Sequence, residues 1–102
     1  MSRLEKIRTM LEESPADVLL NYTYAMELAK GDDIDATRQA FQQTLALDPN
    51  YVPAHFQLGQ ALSRADLIAE AQTVLRSGIE IARRQGDAHA LGEMTEFLEN
   101  LS

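Results

Sequence analysis

The sequence of 102 residues has no cysteine and no tryptophan, and its basic residues are few. Without cysteine there are no disulfide bridges, thiolate zinc sites or cysteine nucleophiles. Nine Lys and Arg stand against sixteen Asp and Glu, and the formal charge of −7 repels phosphate backbones and anionic lipid. No uncharged run approaches the roughly twenty residues of a membrane span. We therefore expect a cytoplasmic protein with no nucleic-acid or membrane partner.

Signals for catalysis and for cofactors are equally sparse. The chain has no glycine-rich phosphate loop, and its two histidines, His55 and His89, are far apart in sequence. No carboxylate is obviously placed to complete a four-ligand zinc site with them. Adjacent acids such as Asp32 and Asp33 point to different faces of a helix. We predict a protein that is not an enzyme and that holds no metal and no cofactor.

The chain does contain an internal repeat, with a period of about 34 residues. Residues one period apart match in size or polarity, as in Pro15 with Pro49, Tyr22 with Phe56, Ile34 with Ile68, and Phe41 with Leu75. A period of this length is typical of stacked helical hairpins. Upstream, Ile7 and Leu11 fall one period before Phe41 and Leu45, so the first helix matches the second half of a repeat.

Hydrophobic spacing and capping residues predict six helices and no strand. Ser14 is expected to end the first helix and to cap the second, because Pro15 disfavours helical geometry in the residue before it. Gly31 is expected as the C′ residue of the second helix, Asp66 in a tight turn, and Asp87 as the N-cap of the last. The predicted helices span about residues 1–14, 15–30, 32–48, 51–65, 67–85 and 87–100.

The residues at these repeat positions resemble the tetratricopeptide repeat. The residues that carry the resemblance are Ala25, Leu28, Phe41, Leu45, Pro49, Leu58, Gly59, Leu62, Ala71, Leu75 and Ile79. The first repeat departs from the family pattern, with Ala25 at a glycine position and Thr37 at an alanine position. The resemblance implies an all-α fold, a right-handed superhelical stack of about six antiparallel helices. It implies a single domain over residues 1–102, with an N-terminal helix (1–14), two repeats (18–51 and 52–85) and a capping helix (86–102).

The resemblance also implies a protein–protein interaction module, an adaptor or scaffold that binds a peptide or helix in a concave groove. The candidate groove residues recur at helical spacing on the first helix of each hairpin: Leu19, Tyr22, Met26, Lys30, Phe56, Gln60 and Arg64. Tyr22 and Phe56 are either anchors for the partner or residues that pack on neighbouring helices. Lys30 and Arg64 would offer positive charge to a carboxylate of the partner. Some family members hold a terminal carboxylate with paired lysines and asparagines on this face, and the present residues do not match that pattern.

Two alternatives concern the ends of the chain. The apolar strip of the first helix, formed by Leu4, Ile7, Met10 and Leu11, would support a homodimer if it were exposed. The last helix has a charge of −4, because Asp87, Glu93, Glu96 and Glu99 are followed by no Lys or Arg. This acidic helix is either a solvated cap or a docking surface for a basic partner.

Overall fold

The computed structural model describes residues 1–101, and six α-helices account for most of them. They are α1 (Arg3–Glu13), α2 (Val18–Leu28), α3 (Ile34–Leu47), α4 (Val52–Arg64), α5 (Ile68–Gln85) and α6 (Ala88–Glu99). No strand occurs in this part of the chain, and the all-α prediction with six antiparallel helices is confirmed. Ser102, at the end of the predicted capping segment, lies outside the described residues. None of these helices is both long enough and apolar enough to span a membrane.

The chain divides into two compact units. The N-terminal unit, Met1–Pro49, contains α1 to α3, and the C-terminal unit, which begins at Asn50, contains α4 to α6. In the N-terminal unit α2 packs against both α1 and α3, and in the C-terminal unit α5 packs against both α4 and α6. The middle helix of each unit therefore holds the other two in place.

The core of the N-terminal unit forms where small side chains of α2 meet α3. Ala25 and Phe41 are completely buried, and the Tyr22 and Phe41 rings meet edge-to-face with centroids 6.2 Å apart. Thr37, at a position where the family has alanine, is buried and donates a hydrogen bond from Oγ1 to the Asp33 carbonyl at 2.9 Å. Because its hydroxyl is satisfied within its own helix, threonine is tolerated at this contact.

The apolar strip of α1 faces mostly into this unit. Ile7 is only 6% exposed, Leu4 and Leu11 are half-buried, and Met10 is 49% exposed. Burial of Ile7 agrees with its repeat register, which places it one period before Phe41. The strip that a homodimer would need is largely covered within the unit itself.

The predicted caps of α2 were wrong at both ends. Ser14 donates its backbone N–H to the Met10 carbonyl at 3.0 Å and so closes α1 instead of opening α2. Asp17 is the N-cap, with Oδ1 accepting a hydrogen bond from the Leu20 N–H at 3.0 Å. α2 ends at Leu28, its C-cap residue Ala29 keeps right-handed helical angles, and Gly31 does not adopt the left-handed conformation expected of a C′ glycine.

The C-terminal unit is built around two close helix approaches. A Cβ atom added to Gly59 would lie 2.7 Å from Leu75 Cγ, and one added to Gly78 would lie 2.7 Å from His55 Cβ and 2.8 Å from Met94 Sδ. Ordinary contacts of this kind are longer, at about 3.5–4.0 Å. The two glycines therefore let α5 approach α4 and α6 more closely than alanine would.

The turns of the C-terminal unit lie at the turn and capping residues from which they were predicted. Asp66 adopts a left-handed φ of 63° between α4 and α5, a conformation that aspartate tolerates better than most residues. Gly86 has a φ of 72° after α5, where glycine carries no steric penalty. Asp87 caps α6 through a 3.0 Å hydrogen bond that its Oδ1 accepts from the Ala90 N–H, as predicted.

Candidate functional site

Four of the predicted groove residues belong to the N-terminal unit. Leu19 is 62% exposed, and Tyr22 and Met26 are half-buried on the same face of α2. Lys30 lies just beyond the end of α2 and is exposed. This face therefore combines an uncovered aliphatic side chain with a partly covered aromatic ring.

Lys30 already pairs with a carboxylate of its own unit. Its Nζ lies 3.1 Å from Glu27 Oε2, and the Nε of Arg3 donates a 3.0 Å hydrogen bond to the same oxygen. The hydrogen bonds from Lys30 and Arg3 lower the pKa of Glu27, although partial burial opposes the shift. The expected role of Lys30, to meet a carboxylate, is thus met in part inside the chain.

The other three predicted residues lie on α4, in the C-terminal unit. Phe56 and Gln60 are half-buried, and Arg64 is exposed at the last residue of the helix. The Phe56 ring meets the Phe97 ring of α6 edge-to-face, with centroids 5.9 Å apart and an interplanar angle of 78°. Phe56 therefore packs on its own unit and still keeps part of its surface exposed.

A cleft of about 420 Å³ lies between α4 and α6 in the same unit. It is lined by Phe56, Ser63, Glu93, Glu96, Phe97, Asn100 and Leu101. Of the predicted site residues, only Phe56 lines it. The charge pattern of the sequence had singled out Glu93 and Glu96 on α6, but Phe97 was not predicted as a site residue. It follows Ser63 by one period of about 34 residues, and the two residues differ in character, so the repeat gave no signal for it.

The cleft is negatively charged. Glu96 makes no ion pair within residues 1–101, and Glu93 Oε1 lies 3.0 Å from His89 Nε2, a pair that is ionic only when the histidine is protonated. α6 has no basic residue in its last turn, where the carbonyl groups at a helix end add partial negative charge. Asn100 Nδ2 donates to the Glu96 carbonyl at 2.9 Å and satisfies one of these groups.

A second, smaller cleft of about 250 Å³ lies in the N-terminal unit. It is lined by Leu11, Asn21, Tyr24, Leu28, Ala36, Gln39, Ala40 and Gln43. Beside it, the Arg8 guanidinium stacks 5.9 Å from the centroid of the Tyr24 ring, and Arg8 Nη2 donates to the Tyr24 hydroxyl at 3.3 Å. No ionised side chain lines this cleft, so its chemistry differs from that of the cleft between α4 and α6.

The two histidines have different surroundings. His55 is buried in α4 beside Gly78, whereas His89 is exposed on α6. Across residues 1–101, no three His, Asp or Glu side chains come close enough to hold a metal ion.

Comparison with known proteins agrees with this architecture. The sequence profile of the tetratricopeptide repeat matches residues 27–93. The chain belongs to the tetratricopeptide repeat family. TPR domains are generally protein–protein interaction modules, and the family is typically non-catalytic.

Three relatives show the extent of the likeness. A TPR repeat-containing protein of Pseudomonas aeruginosa is 28% identical over 98 residues, which are 96% of this chain and 93% of that protein. A solution structure of a protein from Bordetella parapertussis is 27% identical, with a TM-score of 0.85, over 97% of this chain and 86% of that one. The TPR2B domain of yeast Sti1, in its complex with pHsp70, is 18% identical with a TM-score of 0.86 over 94% of this chain and 77% of that one. This last likeness concerns the TPR fold alone.

Proposed function

We propose that this TPR chain is an adaptor that binds a peptide or helix of a partner protein through the exposed faces of α2 and α4. The contact residues are those predicted from the repeat register: Leu19, Tyr22, Met26, Lys30, Phe56, Gln60 and Arg64. The TPR2B domain of yeast Sti1, which has the same fold, was solved in its complex with pHsp70, and this supports an interaction role for the present chain.

The observation that carries the proposal is the uncovered face of α2. Leu19 is one of three large hydrophobic residues that are strongly exposed in the described chain, and Tyr22 and Met26 follow it at helical spacing on the same face. The Tyr22 ring packs edge-to-face with Phe41, with centroids 6.2 Å apart, and the residue is only half-buried. A rigid aromatic ring beside an adaptable methionine is typical of surfaces that bind helices and peptides.

The test is a selection of random peptides displayed on phage against the immobilised chain, followed by binding titrations with the selected peptides. We expect Leu19→Asp to weaken the binding of the selected peptides about tenfold or more, because a carboxylate would replace an aliphatic contact. The side chain is exposed, so the fold should be retained, and circular dichroism checks this.

The matched control is Met10→Asp, which makes a similar change at another exposed apolar residue, on α1. We expect this variant to bind the selected peptides as the natural chain does. If Met10→Asp abolished binding and Leu19→Asp did not, the proposed face of α2 would be wrong. If no peptide were selected at all, or if binding were indifferent to Leu19→Asp, the proposal would also fail.

A further inference from the structure

The cleft between α4 and α6 has two kinds of wall, and together they select one kind of ligand. One wall is apolar, formed by the paired rings of Phe56 and Phe97 and by Leu101. The other carries the carboxylates of Glu93 and Glu96. The volume of the cleft, about 420 Å³, lies in the range of about 300–1,000 Å³ found for ligand sites, so the cleft can enclose side chains of a docked segment.

We propose that this cleft binds a basic segment of a partner protein, in which an apolar side chain stands next to an arginine or lysine. This inference rests on the proposed function and adds the chemistry of the partner at the C-terminal unit. The apolar side chain packs against the two phenylalanine rings, and the cation lies between the rings and the two glutamates.

The charge of the site argues for this occupant. No Lys or Arg follows Arg84 in the sequence, and none lines the cleft. Glu96 has no ion pair within residues 1–101, and the partner of Glu93 there is His89, which is charged only when it is protonated. An acidic segment would therefore meet repulsion, and a neutral one would leave the carboxylates uncompensated.

The aromatic wall favours a cation as well. An arginine or lysine can lay its methylene stem along an apolar surface while its charged end reaches a carboxylate. A cation placed over the face of an aromatic ring gains additional attraction. The edge-to-face arrangement of Phe56 and Phe97 presents the two rings at an interplanar angle of 78°. The same wall therefore serves both parts of the proposed segment.

The test measures binding of two fluorescently labelled synthetic peptides of equal length by anisotropy. In one peptide leucine alternates with arginine, and in the other leucine alternates with glutamate. We expect the Leu/Arg peptide to bind and the Leu/Glu peptide not to bind. Affinity for the Leu/Arg peptide should fall as salt is raised, since the carboxylates are exposed to solvent.

The variant Glu93→Gln/Glu96→Gln keeps the shape of both side chains and removes both charges. We expect this variant to lower the affinity for the Leu/Arg peptide about tenfold, because two exposed ion pairs are lost together. The matched control is Glu12→Gln/Glu13→Gln, which changes the net charge equally on exposed residues of α1. It should leave the affinity unchanged within about twofold, because these residues do not line the cleft.

Several results would overturn the inference. Equal weakening by both double variants would mean that the peptide follows net charge and not the cleft. Absence of Leu/Arg binding, or equal binding of the Leu/Glu peptide, would also refute it. A dimer that dissociates in Glu93→Gln/Glu96→Gln, detected by light scattering, would make a second copy of the chain the occupant. The proposed function stands apart from these outcomes, because peptides selected on the phage library would still depend on Leu19.

Discussion

Replacing Gly78 by alanine should destabilise the protein, whereas the same change at Gly92 should stabilise it. Both glycines are inside helices of the C-terminal unit, Gly78 in α5 and Gly92 in α6. Alanine is favoured over glycine in a helix interior by about 1 kcal/mol, and this gain applies to both sites. A Cβ on Gly92 would meet no atom within 4 Å, so there the gain is uncompensated.

At Gly78 the new methyl group would meet two neighbours. It would lie 2.7 Å from His55 Cβ, an atom fixed to the backbone of α4, and 2.8 Å from Met94 Sδ. To relieve these contacts α5 must shift relative to its neighbours, and overpacking of this kind costs about 1–3 kcal/mol. Because the helix-propensity gain cancels in the comparison, Gly78→Ala should be less stable than Gly92→Ala by about 1–3 kcal/mol.

Urea denaturation followed by far-UV circular dichroism measures the difference directly. Thermal unfolding should also place the midpoint of Gly78→Ala at least about 4 °C below that of Gly92→Ala. Gly59→Ala should fall between them, because the Leu75 atoms that it would meet, Cγ and Cδ2, lie farther along a side chain than His55 Cβ does. If Gly78→Ala and Gly92→Ala were equally stable, the close approach of the helices would not constrain this position.

Three further predictions concern helix ends and one carboxylate. Asp17→Ala should lower the free energy of unfolding by about 1 kcal/mol in urea denaturation, because it removes the N-cap of α2, and Ser14→Ala should lower it little. A larger loss for Ser14→Ala than for Asp17→Ala would mean that Ser14 is the N-cap after all. Gly86→Ala should cost about 1–2 kcal/mol, because its φ is 72°, and an unchanged unfolding midpoint would contradict this. The pKa of Glu27 is lowered by folding, so its contribution is present above about pH 4.5 and is lost as the pH falls through the folded pKa. Glu27→Gln should make stability less dependent on pH in that acidic range, and an unchanged pH profile would refute the pairing.

The six helices could be predicted because the repeat supplies the same signal more than once. Phe41 and Leu75 occupy equivalent positions one period apart, and both are completely buried. Close packing of α4 and α5 could also be inferred, because a glycine at position 59 allows a close helix contact, and Gly59 does lie against Leu75. Because the pattern occurs twice, each helix is easier to predict from the sequence than a single amphipathic stretch would be.

The start of α2 could not be predicted in the same way. Ser14 and Asp17 are both good N-cap residues, and the position of Pro15 favours the first. The choice depends on Asn21, whose buried Nδ2 donates to the Pro15 carbonyl at 3.0 Å and to the Asp17 carbonyl at 2.8 Å. These bonds secure the connecting turn, and hydrophobic periodicity contains no information about them.

The α6 side of the cleft was hidden for a different reason. The sequence showed an acidic helix after Gly86, but the register of the repeat weakens there. Whether Glu93 and Glu96 face solvent alone or share a cleft with Phe97 depends on how α6 packs against α4. That packing is a tertiary property, and the charge pattern by itself allowed both a solvated cap and a docking surface.

The buried position of Met94 also has a chemical consequence. Met94 has no exposed surface, whereas Met10 is 49% exposed and Met26 is half-buried on the face of α2. A sulfoxide adds a polar oxygen, for which the space beside Gly78 and His55 leaves no room. Dilute hydrogen peroxide should therefore oxidise Met1 and Met10 first, since they are 82% and 49% exposed, and reach Met94 only when the C-terminal unit opens. The rate of Met94 oxidation, measured by mass spectrometry, should therefore report how often the C-terminal unit opens.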